Sequence, residues 1–110
     1  MENRRRSKRT ELKERHIIRR LDGDDHKETV IEILDVSKCG IGFNCEDVLK
    51  KGAVYEIDLT IWTKAVIHAF IQIVRIIVRE TTIEYGAVFV GMSEMDASRI
   101  EVYQMVNENE

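Results

Sequence analysis

Val54-Tyr55-Glu56-Ile57-Asp58-Leu59-Thr60-Ile61-Trp62 decides the fold class. Tyr55, Ile57, Leu59 and Ile61 alternate with Glu56, Asp58 and Thr60. Successive side chains of a strand point to opposite faces, so this period of two describes a sheet with one dry face and one wet face. Downstream, residues 65–79 are long and apolar, with His68, Gln72, Arg75 and Arg79 out of strict alternation, which predicts a strand carrying a bulge. Residues 81–90 are predicted to pair back on it as a hairpin. Upstream, residues 29–35 (TVIEILD) are rich in β-branched side chains, as strands are. Ser37-Lys38-Cys39-Gly40 interrupts that run before Ile41-Gly42-Phe43 resumes it. Residues 16–21 (HIIRRL) form one more strand, and Asp22-Gly23-Asp24-Asp25 after them is dense in turn formers. Residues 46–51 (EDVLKK) have the composition of one helical turn stopped by Gly52.

The period changes in residues 93–107. Ala97, Ile100, Tyr103 and Val106 recur every three residues, and Ser93 with Asp96 has capping-box spacing, so a C-terminal amphipathic helix is expected over about 93–107. About six strands joined by short turns, with no crossover helices, indicate an all-β antiparallel barrel or sandwich with a C-terminal helix. At 110 residues the chain has the size of one domain. Its 44% apolar content excludes intrinsic disorder, and no run approaches the roughly 20 apolar residues of a membrane span, so membrane insertion is not expected. The first twenty residues lack the apolar core of a signal peptide, which makes a cytoplasmic location the expectation. Cys39 and Cys45 are read as free thiols in the core.

The net charge of −3 conceals a segregation. Residues 1–20 hold nine Lys or Arg against three Glu, a balance of +6, which leaves −9 on the other ninety. Residues 1–13 have no apolar period and read as a mobile basic arm before a folded unit over 14–110. A basic arm on an acidic body implies an anionic partner for the arm. General nucleic-acid adhesion would find no broad basic footing on such a body.

Two motifs give that partner a chemistry. Arg5-Arg6-Ser7-Lys8-Arg9 fits RxxxR and is preceded by Arg4, and 25 residues then separate Arg9 from Asp35-Val36-Ser37-Lys38-Cys39-Gly40, which fits [DN]xSxxG. Each alone is common. In this order, ahead of a barrel-and-helix pattern closed by Gly86-Ala87-Val88-Phe89, they resemble the PilZ domain, a small bacterial module that binds cyclic di-GMP. The resemblance covers nearly the whole chain and implies a six-stranded, split-barrel-like antiparallel β-barrel. It also implies that Arg4, Arg5 and Arg9 grip phosphates and guanines while Asp35 and Ser37 meet the bases, with Gly40 allowing close backbone approach or a positive φ. Lys8 stands where the family often has a proline, which adds a charge and leaves a more flexible arm.

The residues suit such a ligand on their own chemistry. An arginine fork pairs in bidentate fashion with phosphate oxygens or with guanine O6 and N7, and it can stack on a base. A carboxylate accepts from the guanine N1–H and N2–H edge. The same turn can equally be a side-chain-bonded connection between strands, because Asp and Ser cap their own backbone. No metal site is expected, since His16, His26, His68 and the cysteines lack ligand spacing. Trp62 and Tyr85 read as core residues. No catalytic motif or phosphate-binding Gly-rich loop is present, so an enzyme is not expected and no cofactor is implied. The resulting expectation is a single-domain receptor for cyclic di-GMP that signals in trans to an unidentified effector protein. The alternatives are a small nucleic-acid-binding barrel that uses its arm, and a ligand-free PilZ interaction module.

Overall fold

The alternation that starts at Val54 becomes a strand buried on one side. In the computed structural model, which describes residues 10–22, 27–61 and 65–108, Tyr55, Ile57, Leu59 and Ile61 are buried while Asp58 is exposed. This strand, β4 (Val54–Thr60), is one of six, with β1 (Thr10–Arg20), β2 (Glu28–Val36), β3 (Gly40–Cys45), β5 (Val66–Val78) and β6 (Ile83–Phe89). Neighbours are antiparallel throughout, and the order β1-β2-β3-β6-β5-β4 closes on itself as a barrel. Closure leaves no sheet edge to be covered. One helix, α1 (Glu94–Glu108), follows the last strand. Ser93 caps it, its Oγ accepting from the Asp96 N–H at 3.1 Å. The expected six-stranded antiparallel barrel with a C-terminal helix is therefore the observed fold.

The barrel interior is filled by Ile18, Ile31, Ile33, Ile41, Phe43, Ile57, Leu59, Ile67, Ile71, Ile73 and Tyr85, all essentially inaccessible. Tyr85 is a core residue, as read from the sequence, and stacks on Phe43 at a centroid distance of 5.4 Å. The seam between β1 and β4 is the shortest ladder, with three paired positions, Ile18 to Ile57, Arg19 to Glu56 and Arg20 to Tyr55. Where the ladder ends, buried His16 takes its place, Nε2 accepting from the Thr60 N–H at 3.3 Å.

Four local expectations are corrected. Residues 46–51 form a bend and loop, not a helical turn. Their backbone groups go to Tyr85, whose hydroxyl accepts from the Leu49 N–H at 2.8 Å and donates to the Asp47 carbonyl at 2.9 Å. A side chain has thus replaced the intrahelical bonds, while Gly52 turns the chain at φ +91°. Cys39 is exposed on the bend before β3; only Cys45 is buried, and burial pushes its thiol pKa up. In α1, Ile100, Tyr103 and Gln104 face the barrel, whereas Val106 faces outward. A three-residue period drifts around a helix of 3.6 residues per turn, and Val106 lies beyond the buried arc. The basic segment also enters the fold earlier than its composition suggests, since β1 begins at Thr10; residues 1–9 lie outside the described residues.

The Tyr85 hydroxyl yields a quantitative expectation. Tyr85→Phe strips partners from a buried N–H and a carbonyl, so urea unfolding should show stability lower by about 1–3 kcal/mol at unchanged m-value.

Candidate functional site

Two register slips build one face of the barrel. In β2 the ladder passes from Ile33 opposite Phe43 to Asp35 opposite Gly42, with a shift between them. Strict alternation from inward Ile33 would put Leu34 outward and Asp35 inward; the bulge gives the outward place to Asp35. The same happens in β5, where Ile73 faces Ala87 and, after a shift, Arg75 faces Gly86. The predicted bulge thus turns an arginine that would point into the core onto the surface.

Between these charges lies a floor without side chains. Gly42 of β3 pairs with Gly86 of β6, so Asp35, Gly42, Gly86 and Arg75 make one row across four strands. At strand spacings of about 4.8 Å the row is about 14 Å long. The side chains at its ends fold inward over the glycines: a Cβ on Gly42 would sit 2.9 Å from Asp35 Oδ1, and a Cβ on Gly86 would sit 3.1 Å from the Arg75 guanidinium carbon. The buried glycines let a carboxylate and a guanidinium lie close against the sheet, so the face presents hydrogen-bond acceptors at one end and a planar donor fork at the other.

The bend after Asp35 is held rigidly. The Ser37 N–H donates to the Gly40 carbonyl at 2.9 Å, and Ser37 Oγ accepts from the Cys39 N–H at 3.1 Å. Ser37 is 1% exposed, so its hydroxyl works inside the turn. Gly40 answers to packing: a Cβ there would lie 2.0 Å from the Ala87 carbonyl oxygen. Its φ is not positive, so close approach is the reason for the glycine, with β6 backbone as the group approached.

The bend also ties the N-terminal strand to the helix. Thr10 and Glu11 of β1 lie opposite Val36 and Asp35. The Val36 carbonyl accepts from Gln104 Nε2 of α1 at 3.3 Å, and Lys38 Nζ meets Glu101 Oε2 at 2.9 Å. Glu101 holds the Lys38 pKa above its ordinary value. A ligand at the bend would therefore touch β1, β2 and α1 through adjacent residues.

Of the six residues singled out in the sequence, Asp35, Ser37 and Gly40 fall together here, and Arg4, Arg5 and Arg9 lie outside the described residues. Arg75, Gly42 and Gly86 were not singled out for the site. Their signal was a glycine inside each of two strand patterns and an arginine breaking the alternation of a third. A second concavity of about 500 Å³ lies over the β1–β4 seam, lined by Arg15, Arg19, Glu28, Glu56, Asp58 and His68 among others. Its charges already face one another: Arg19 reaches Glu28 at 3.8 Å and Glu56 at 3.9 Å, and His68 reaches Asp58 at 2.6 Å. It is roomy, but it offers an anion no surplus of positive charge. Among the described residues no group of three or more His, Cys, Asp or Glu is placed to hold a metal, and no helix is long and apolar enough to cross a membrane.

Comparison with known proteins agrees with the fold. Residues 3–105 match the family model described as the PilZ domain. The structure is similar to that of YcgR from Escherichia coli in complex with c-di-GMP, at 20% identity and TM-score 0.76, over 96% of this chain and 46% of that one. It is similar to the K. pneumonia MrkH–c-di-GMP complex at 18% identity and TM-score 0.73, over 97% of this chain and 53% of that one. The Bacillus subtilis inhibitor of motility MotI/DgrA follows at 14% identity and TM-score 0.72, over 98% and 53%. The chain thus spans about half the length of these neighbours. No curated protein sequence matches it.

The two glycines near the bend should respond differently to a methyl group. Gly40→Ala must push β3 from β6 and should lower unfolding free energy by about 3 kcal/mol. Gly42→Ala meets the end of the Asp35 side chain, and should keep its melting temperature within about 4 °C of the parent while displacing that carboxylate.

Proposed function

The chain belongs to the PilZ domain family, and on that premise we propose that it is a receptor for cyclic di-GMP, which it holds over the Asp35-to-Arg75 row under the arginine motif. The observation that carries this reading is the row Asp35-Gly42-Gly86-Arg75 beside the point where the N-terminal segment enters the barrel. Thr10 pairs with Val36, so by covalent geometry the Cα of Arg9 is about 3.8 Å from that of Thr10, and that of Arg5 within about 18 Å. Covalent geometry thus keeps Arg4, Arg5 and Arg9 within one short arm of the bend, close enough for an arm folded back over it to bring their guanidinium groups there. YcgR and MrkH, which share the fold, are the c-di-GMP complexes named above.

In this proposal the guanidinium groups of Arg4, Arg5 and Arg9 take the phosphates and one guanine Hoogsteen edge, and Asp35 accepts from a guanine N1–H and N2–H edge. Arg75 supplies a further fork at the other end of the floor. Ser37 and Gly40 act by shaping the bend that positions Asp35, without touching the ligand. No step of bond making is involved: proteins of this family are binding modules, not enzymes. The signal passes in trans to an effector protein. Ordering of the arm is opposed by lost conformational entropy, and each charge-assisted bond returns about 1.5–3 kcal/mol, so two or three suffice.

Titration calorimetry with cyclic di-GMP tests the proposal. Saturable binding should weaken about tenfold or more in Arg9→Ala, Asp35→Ala and Arg75→Ala, with the melting temperature of the unliganded variants little changed. Absence of heat from the parent protein would overturn it. Binding that an oligonucleotide displaces without regard to base, and that falls steeply with salt, would favour the nucleic-acid alternative.

A further inference from the structure

Helix α1 carries apolar side chains on two sides. Ile100 and Tyr103 pack on the barrel, while Met95, Val102, Met105 and Val106 are exposed, with Met95 at 74% and Met105 at 62%. At 100° per residue Met95, Val102 and Met105 fall within one stripe on the side opposite Ile100, and exposed Ser98 lies between them. The spacing Met95, Ser98, Val102, Met105 is three, four, three, the a and d positions of two successive heptads. Three of the four are apolar. A solvent-facing stripe of this kind on an already folded helix marks a contact surface.

The flanking charges select the occupant. With Met95 and Val102 at a, and Ser98 and Met105 at d, Glu94 and Glu101 occupy g positions and Arg99 an e position. All three are exposed. In a parallel pair each g residue faces the e residue five places on in the other helix, which sets Glu94 of one copy against Arg99 of the other, twice by symmetry. In an antiparallel pair the g flank faces the partner's g flank, so the acids would meet acids. Val102 at a is β-branched, the preference of two-stranded pairs. Ser98 at d is small enough for close approach, and its hydroxyl can bond back to a carbonyl of the preceding turn, so burying it leaves no donor unmet. The barrels lie on the far sides of both helices, out of each other's way. Arg99 now meets its own Asp96, at 3.5 Å across an exposed i, i+3 pair, a contact cheaply exchanged.

We infer that α1 is a self-recognition surface through which two copies of this chain associate as a parallel, two-fold symmetric helix pair. The interface is independent of the nucleotide reading, although α1 also holds the Val36–Lys38 bend through Gln104 and Glu101, so the two sites share one element.

Sedimentation equilibrium of the full chain at about 0.5 mM should show a dimer. Val102→Glu should yield a monomer that keeps the parent's far-UV circular dichroism and melting transition. Arg99→Glu should raise the dimer dissociation constant roughly fivefold, and adding Glu94→Arg should restore it. In a Cys39→Ser background, oxidised Met95→Cys should give a 95–95 disulfide dimer, which only the parallel arrangement allows. A monomeric parent at that concentration overturns the inference, as does a dimer that survives Val102→Glu. A disulfide that forms in Val102→Cys but not in Met95→Cys refutes the parallel orientation.

Discussion

Two one-residue slips, one in β2 and one in β5, are the constraint on which the candidate site depends. Without the shift between Ile33 and Asp35 a carboxylate would point at the barrel core, and without the one between Ile73 and Arg75 a guanidinium would do so. Either charge would be prohibitive there without a partner. The bulges turn that liability into a surface row and keep both charges out of the interior. Gly42 and Gly86 complete the arrangement, because any side chain between Asp35 and Arg75 would occupy the floor over which both are folded.

The bend that follows Asp35 sets where the carboxylate stands. Its two internal hydrogen bonds, made by Ser37, and the backbone contact at Gly40 fix it from below. Gln104 and Glu101 fasten it to the helix from the side. The first residues of β1 run along the same place. A molecule gripping the bend and the chain before Thr10 at once would therefore act on a joint of three elements, the arrangement a small receptor needs to report occupancy at a distance.

Much of this was legible in the sequence, for physical reasons that can be named. The alternation over residues 54–61 reports burial directly, and Ser93 with Asp96 reports a helix start, so barrel strand and capped helix were both readable. The broken alternation over residues 65–79 betrayed a bulge, but not which residue it would turn outward, since that depends on the partner strand. The helical turn expected at residues 46–51 failed because Tyr85, distant in sequence, takes its hydrogen bonds. Asp35, Ser37 and Gly40 were found as a motif, yet their pattern could not separate the one that faces outward from the two that shape the turn. Arg75, Gly42 and Gly86 come from three different strands, and only the closed sheet brings them together.

The central claim is that the Asp35-to-Arg75 row is the face on which cyclic di-GMP sits. Amide chemical-shift mapping of the isotope-labelled chain during titration with cyclic di-GMP tests it most directly. The account predicts the largest changes at residues 35–42, at Gly86 and at Arg75, with the β1–β4 seam around Asp58 and His68 quiet. Changes centred on that seam, or none at saturating nucleotide, would contradict it.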